Sequence, residues 1–286
     1  MVRIAQLKET STMRVGFIGL GNIGGPMALR VVKGGYDTAV FDIKRDSAEP
    51  HLKAGAAWAD SAAALAARSD VILVSVPGPA EIDEVVFGRQ GILQTIAAGC
   101  VYIELSTTLP SNMRRIHDAL KSKGADAIDA PVSGGAGRAA TGELAVWIGG
   151  DGQTYERVKP ILSTFGNKLT HMGGIGMGLT AKLVHNQMLY STLQVISESF
   201  AMGVKAGLSP EILLKVARDG AYSNLLNMLP RAVTGGDFKW ADFGMGHITR
   251  KDQMVANQYG RELDVPQPLA NLVEQKMIET IHFAKK

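Results

Sequence analysis

One cysteine, Cys100, occurs in 286 residues, which excludes an internal disulfide and points to a reducing compartment. The six histidines are scattered, with no H-x-x-x-H and no Cys/His cluster, so no structural metal is expected. Charge of one sign is equally scarce: 30 basic against 27 acidic residues give a formal +3, without any Lys/Arg block. That balance argues against a nucleic-acid partner. No apolar run approaches the ~18 residues of a membrane span. The longest notable one, VILVSVP at 71–77, has strand length. The N-terminal MVRIAQLKETSTM lacks a signal-peptide core and reads as an extension over 1–13. The expectation is a cytoplasmic protein without membrane contact. Apolar residues are plentiful, 46% against 20% charged, enough for a substantial core.

From Arg14 to about Thr170 short apolar runs alternate with helical stretches. Strands are expected at 14–20, 37–43, 70–76, 100–105 and 125–130, with two more near 144–148 and 168–170. Between them, helices are expected at 23–34, 47–54, 61–68, 80–87, 111–123 and 153–165. That alternation predicts an α/β, doubly wound, Rossmann-type parallel sheet covered on both faces. After Gly178 the pattern becomes helical, beginning with a long helix over 179–205. Ser209 and Pro210 suit the N-cap and first position of the next helix. Further helices are expected over 245–261 and 267–283, so the C-terminal part reads as an all-α domain. The domains are drawn at 14–175, for dinucleotide binding, and 176–286, for substrate and oligomer contacts.

GLGNIG at 19–24 follows a strand and opens a helix, the context in which G-x-G-x-x-G is informative. Gly19 permits a tight turn, Gly21 lets a pyrophosphate approach the backbone, and Gly24 lets helix and strand pack closely. Leu20, Asn22 and Ile23 complete the loop, whose amides would face the phosphates at a helix N-terminus. Asp42, 18 residues after Gly24, suits the ribose hydroxyls of NAD and repels the 2′-phosphate of NADP. Lys44 and Arg45 partly offset that repulsion, so the expected cofactor is NAD, with NADP possible. Further on, GGIGMGLTAKLVHN at 173–186 runs a glycine loop into a helix carrying Lys182, His185 and Asn186 towards one side.

These motifs resemble the β-hydroxyacid dehydrogenases, the 3-hydroxyisobutyrate dehydrogenase family. The resemblance rests on GLGNIGGPMA (19–28), STTLP (106–110), DAPVSGG (129–135) with AATGELAVWIGGD, the loop-helix with Lys182, and RKD (250–252). It implies an NAD(P)-dependent enzyme oxidising a small 3-hydroxy acid, or reducing the semialdehyde, as a homodimer or homotetramer. The chemistry of DAPVSGG agrees: Pro131 stiffens the chain, and Ser133, Gly134 and Gly135 present a hydroxyl and two amides suited to a carboxylate. Alcohol oxidation needs a base for the hydroxyl proton, and Lys182 matches the family's proton-transfer lysine. Partial burial beside a positive nicotinamide would lower its pKa as that role requires. Asn186 would hold the hydroxyl oxygen or orient the ammonium.

Family position places Val76, Pro77, Thr107 and Lys251 at the cofactor, and Phe243 against the substrate, with Phe238 and Trp240 as competitors for that aromatic role. Ser223 and Asn224 lie in a region that shapes substrate choice in such enzymes, and Arg231 could reach a second acidic group. Ser111, rather than Thr107, is expected to cap the helix at 111–123. His185 departs from the family, which has Asn more often there; Lys-x-x-His-Asn looks like the 6-phosphogluconate dehydrogenases and leaves the substrate open. Imine reductases share the two-domain plan but usually lack a lysine at this place. A dinucleotide sensor without turnover would keep only the fold.

Overall fold

In a computed structural model, residues 13–205, 207–220, 233–234, 237–238, 247–262 and 268–283 are described. The chain divides into two compact units, Met1–Lys182 and Leu183–Lys286.

The first unit is built on strands β1 (Arg14–Ile18), β2 (Asp37–Phe41), β3 (Ala57–Trp58), β4 (Val71–Val74), β5 (Val101–Glu104), β6 (Asp126–Asp129), β7 (Val132–Ser133), β8 (Leu144–Gly149) and β9 (Gly166–Gly173). They form one sheet in the order β3-β2-β1-β4-β5-β6-β8-β7, with β9 beside β8. β1 to β6 pair in parallel, and every residue of β4 and β5 is buried. A strand covered on both faces has no polar side to show, which is why VILV reads as an unbroken apolar run.

The helices are α1 (Gly24–Lys33), α2 (Glu49–Lys53), α3 (Ala62–Ala66), α4 (Pro79–Phe87), α5 (Pro110–Lys121), α6 (Gly135–Thr141) and α7 (Gly152–Leu162). One face of the sheet packs Val15, Phe17, Leu73 and Ile103 against Met27 and Val31 of α1 and Val158 and Ile161 of α7. The other packs Ile72, Val74, Tyr102 and Ala127 against Leu65 of α3, Ile82 of α4 and Met113 and Ile116 of α5. The expected doubly wound architecture is present.

Three expectations are corrected. The sheet is mixed, because β8 runs antiparallel to β6 and β7. The chain doubles back after Pro131, and the unforeseen α6 sits inside that return instead of crossing over. Secondly, α5 is not capped by Ser111: Leu109 is the N-cap and Pro110 opens the helix. A proline has no N–H to satisfy, so it fits the first position without a side-chain cap. Thirdly, the C-terminal part is not purely helical, since β10 (Val233–Thr234) and β11 (Asp237–Phe238) pair antiparallel. Such short strands carry too few residues for a periodic signal.

The long helix α8 (Met177–Lys205) leads into the second unit, followed by α9 (Pro210–Asp219), α10 (His247–Glu262) and α11 (Pro268–Phe283). Ser209 Oγ accepts the Ile212 amide as the expected cap of α9. Leu193 and Leu214 anchor a small cluster with Leu189, Tyr190 and Ile196 of α8. Asn257 of α10 donates to Ala270 O and to Glu274 Oε2 of α11, at 3.2 and 2.8 Å. Among the described residues, no helix is long and apolar enough to cross a membrane.

Candidate active site

Parallel strands end on one edge of the sheet, and strand order reverses between β1 and β4. Ligands of doubly wound sheets bind at that reversal. The loop after β1 occupies it. Gly19 has φ +92°, and a Cβ there would lie 2.1 Å from Ser75 O in the loop after β4. Gly24 is equally constrained, since its Cβ would meet Gly19 O at 2.1 Å. At Gly21 an added Cβ meets nothing within 4 Å, so the open side of the turn is there. The first turn of α1 has no side-chain cap, its Gly25 amide donates to Gly21 O at 2.8 Å, and the helix turns the positive end of its dipole towards the glycine turn. This cradle fits a pyrophosphate. The residues present therefore suit a dinucleotide.

Asp42 follows β2 directly. Its Oδ2 accepts the Leu20 amide at 2.7 Å and its Oδ1 the Lys44 amide at 2.8 Å. The carboxylate thus ties the glycine turn to β2, a second task beyond the one expected, and each oxygen retains a lone pair. Ile43 beside it is 90% exposed, and the Arg45 guanidinium lies over the Trp58 ring.

Loops after β4 and β5 are locked together: the Val76 amide donates to Ser106 Oγ at 2.9 Å. The Ser106 amide donates to Glu104 Oε1 at 2.8 Å, and Tyr102 donates its hydroxyl to Oε2 at 2.5 Å. Thr107, next in line, is largely buried, while Pro77 is exposed. Glu104 is wholly buried, and burial pushes its carboxyl up to about 7 against the opposing hydrogen bonds from Tyr102 and Ser106. The folded value lies above the unfolded one, so the native state keeps the proton longer. Stability is therefore lost as pH rises from about 4.5 to about 7, by at most roughly 3–4 kcal/mol at ~1.4 kcal/mol per tenfold change in proton affinity. Glu104→Gln should flatten the melting temperature between about pH 4.5 and about pH 7. An unchanged pH dependence in that variant would rule out this carboxyl as its source.

Beside Glu104 in register stands Asp129, also wholly buried, the first residue of DAPVSGG. Its Oδ1 accepts the Gly176 amide at 2.6 Å and its Oδ2 the Leu179 amide at 2.7 Å. Burial raises its carboxyl from the ordinary value, and these amide bonds act against that. The backbone then leads through Pro131, whose carbonyl accepts the Trp147 amide, to half-buried Ser133 and exposed Gly134 and Gly135. On the other side, α8 rises from Gly176–Leu179 to half-buried Lys182, one turn beyond.

His185 is half-buried, and Asn186 is buried. Asn186 Nδ2 donates to Asp252 Oδ2 at 3.1 Å, and Tyr190 donates its hydroxyl to the same oxygen at 3.3 Å. Lys251 Nζ lies 2.5 Å from Asp252 Oδ1, an ion pair outside hydrogen-bond alignment. Burial, followed by the Asp252 charge, pushes the Tyr190 phenol far above its usual value. Asn186 Oδ1 is buried and lacks a hydrogen-bond partner among the described residues. The expected residues 186 and 251 thus meet through Asp252. Phe243, Trp240, Ser223, Asn224 and Arg231 lie outside the described residues, as does the side chain of Phe238.

Glu104, Asp129 and Tyr190 were not singled out from sequence, though each left a signal. A carboxylate at the end of a strand covered on both faces needs polar partners. Tyr190 lies four residues after Asn186, on the same helical stripe.

Comparison with known proteins agrees with this geometry. Residues 14–174 match the model of the NAD binding domain of 6-phosphogluconate dehydrogenase. Residues 176–285 match that of the NAD-binding region of NADP-dependent 3-hydroxyisobutyrate dehydrogenase. The 2-(hydroxymethyl)glutarate dehydrogenase of Eubacterium barkeri is 31% identical over 92% of this chain and 88% of its own length. An NAD-dependent L-serine dehydrogenase of Pseudomonas aeruginosa is 35% identical over 74% of this chain and 71% of its own. Among solved structures, the Mycobacterium tuberculosis 3-hydroxyisobutyrate dehydrogenase with L-serine superposes with a TM-score of 0.81 at 27% identity, covering 96% of this chain and 94% of that one. The glycine turn at the strand reversal, the D-A-P-V-S-G-G strand end and two matching family models lead to one conclusion: this chain belongs to the 3-hydroxyisobutyrate dehydrogenase family of β-hydroxyacid dehydrogenases, NAD(P)-dependent oxidoreductases acting on a CH–OH group.

Proposed function

We propose that the chain oxidises a small 3-hydroxy acid with NAD, or reduces the matching semialdehyde, with Lys182 moving the proton. One observation carries this reading: the strand end leading to Ser133 and the helix turn leading to Lys182 are joined inside a single compact unit by Asp129. The Ser133 hydroxyl and the amides of Gly134 and Gly135 hold the substrate carboxylate through short charge-assisted hydrogen bonds. The neutral Lys182 amine takes the hydroxyl proton during oxidation, and the ammonium returns it during reduction. Asn186, one turn further along α8, gives its Nδ2 to Asp252, which leaves Oδ1 to accept from the ammonium or the alcohol. Family position assigns Thr107, Val76, Pro77 and Lys251 to the cofactor in this reading, and His185 and Phe243 to the substrate. NAD, when bound, supplies the hydride acceptor. The lone pairs left on Asp42 accept from the ribose hydroxyls.

The substrates named by the relatives share a hydroxymethyl group on the carbon that bears the carboxylate. The substrate proposed here is of that class, with its side group unassigned. We divide the chain functionally at the glycine loop, 14–175 for the dinucleotide and 176–286 for the substrate side. Exposed Val184, Met188, Ile212 and Val216 on α8 and α9 support contact with a second copy in a dimer or tetramer.

A panel of 3-hydroxy acids and semialdehydes, assayed with NAD(H) and NADP(H), tests the proposal. Turnover is expected with NAD and a 2-substituted 3-hydroxypropanoate. Asp42→Ser should shift kcat/KM towards NADP by roughly tenfold or more, since it removes a charge facing the 2′-phosphate and leaves Lys44 and Arg45 nearby. A wild-type enzyme that already prefers NADP would overturn the role given to Asp42. No turnover of any acid, despite tight NADH binding, would favour a sensor.

A further inference from the structure

Asp129 belongs to the substrate motif by sequence, yet its side chain does not face a ligand. It is wholly buried and reaches away from the motif, 47 and 50 residues along the chain, to the amides of Gly176 and Leu179 at the start of α8. Two glycines make that reach possible. A Cβ on Gly149 would lie 2.5 Å from Asp129 Oδ1, and one on Gly178 would lie 2.8 Å from Oδ2 and 2.2 Å from Trp147 O. The carboxylate is therefore held between β8 and the foot of α8, with no room for any side chain on either neighbour.

Both halves of the proposed chemistry hang from this group. Ser133 is four residues downstream, fixed by pairing of β7 with β8. Lys182 is three residues, about 4.5 Å of helix rise, beyond the Leu179 amide. From this geometry we infer that Asp129 is a positioning residue: its buried carboxylate sets the height and rotation of the first turn of α8, residues 177–182, at the DAPVSGG strand end within the first unit, and so the placement of the Lys182 amine against a substrate held at Ser133. The inference rests on the reading of Lys182 as the proton-transfer group. Misplacement of a reacting group by about 1 Å is enough to cost about 100-fold in rate. The glycine turn at 19–24 lies three strands away, so dinucleotide binding is expected to be unchanged. The ionisable neighbour facing Asp129 is Glu104 on β5.

The test compares wild type, Asp129→Asn, Lys182→Ala and the double variant, measuring kcat for the best 3-hydroxy acid and NADH affinity by fluorescence titration. An asparagine keeps the shape but turns an amide donor towards an amide donor. Asp129→Asn is expected to lower kcat by about 10- to 100-fold with NADH affinity within about twofold of wild type. In the Lys182→Ala background the same change should cost no more than about threefold, because residues acting as a unit are not additive. Gly149→Ala, whose Cβ would meet both carboxylate oxygens at 2.5 and 2.7 Å and the Gly178 amide nitrogen at 2.7 Å, disturbs the same junction between β8 and the foot of α8 with Asp129 kept, and should reproduce the loss where Asp129→Asn does not fold. Wild-type kcat in Asp129→Asn or Gly149→Ala, or fully additive losses in the double variant, would overturn the inference while leaving Lys182 in place. Near-normal turnover in Lys182→Ala would instead remove the reading on which it rests.

Discussion

Lys182→Ala is expected to lose turnover by about 10²- to 10⁴-fold, the usual contribution of a positioned proton-transfer group. NADH affinity should stay within about twofold, because the glycine turn, Asp42 and the loops after β4 and β5 are untouched. The side chain is half-buried, so the stability change should stay within about 1 kcal/mol. Lys182→Arg is the sharper control. A guanidinium keeps the positive charge and the reach but does not deprotonate at accessible pH. It should therefore be nearly as inactive as the alanine variant, if a proton is what the position transfers. An arginine variant with wild-type kcat would mean that the position supplies charge alone. An active alanine variant would remove it from the mechanism.

Gly19→Ala should have the other large effect, on folding and cofactor binding together. Residue 19 has φ +92°, where a side chain costs about 1–2 kcal/mol. Its Cβ would overlap Ser75 O at 2.1 Å, adding about 1–3 kcal/mol of overpacking. The expected loss of stability is about 2–5 kcal/mol, with NADH affinity reduced about 100-fold or more as the loops after β1 and β4 move apart. Gly21→Ala separates the two effects. Nothing lies within 4 Å of its added Cβ, so stability should hold within about 0.5 kcal/mol while dinucleotide affinity still falls. Calorimetry and NADH titration on both variants check this. Unchanged affinity in Gly21→Ala would mean that the pyrophosphate does not pass there.

Much of the fold was legible because it is written in short periods. Runs such as VILVSV and CVYIEL are apolar without alternation, the mark of strands covered on both faces, and they lie in β4 and β5 as expected. Ser209-Pro210 announced α9 because a cap is a contact between residues three apart. Errors arose where the signal was short or non-local. β7, with two residues, has no period, and nothing in AATGELAVWIGGD says that β8 returns antiparallel. The same division runs through the candidate site. GLGNIG carried its own context, a strand before and a helix after, so its geometry followed from the residue types. Asp42 was read only for the ribose, although it also fastens the glycine turn, because a bond between residues 42 and 20 leaves no trace in either neighbourhood.

By itself, the order of residues determined the alternation of strands and helices, the glycine turn at 19–24, the Ser-Gly-Gly loop at 133–135 and the lysine on α8. Each is a local property, set by backbone sterics and side-chain period over a few residues. Only the tertiary structure decided what those pieces hold on to: Asp129 on the amides of α8, Glu104 beneath Ser106, and Asp252 between Asn186, Tyr190 and Lys251. A buried carboxylate must find donors wherever folding brings them. Here they come from as far as 66 residues along the chain, beyond the reach of any local pattern.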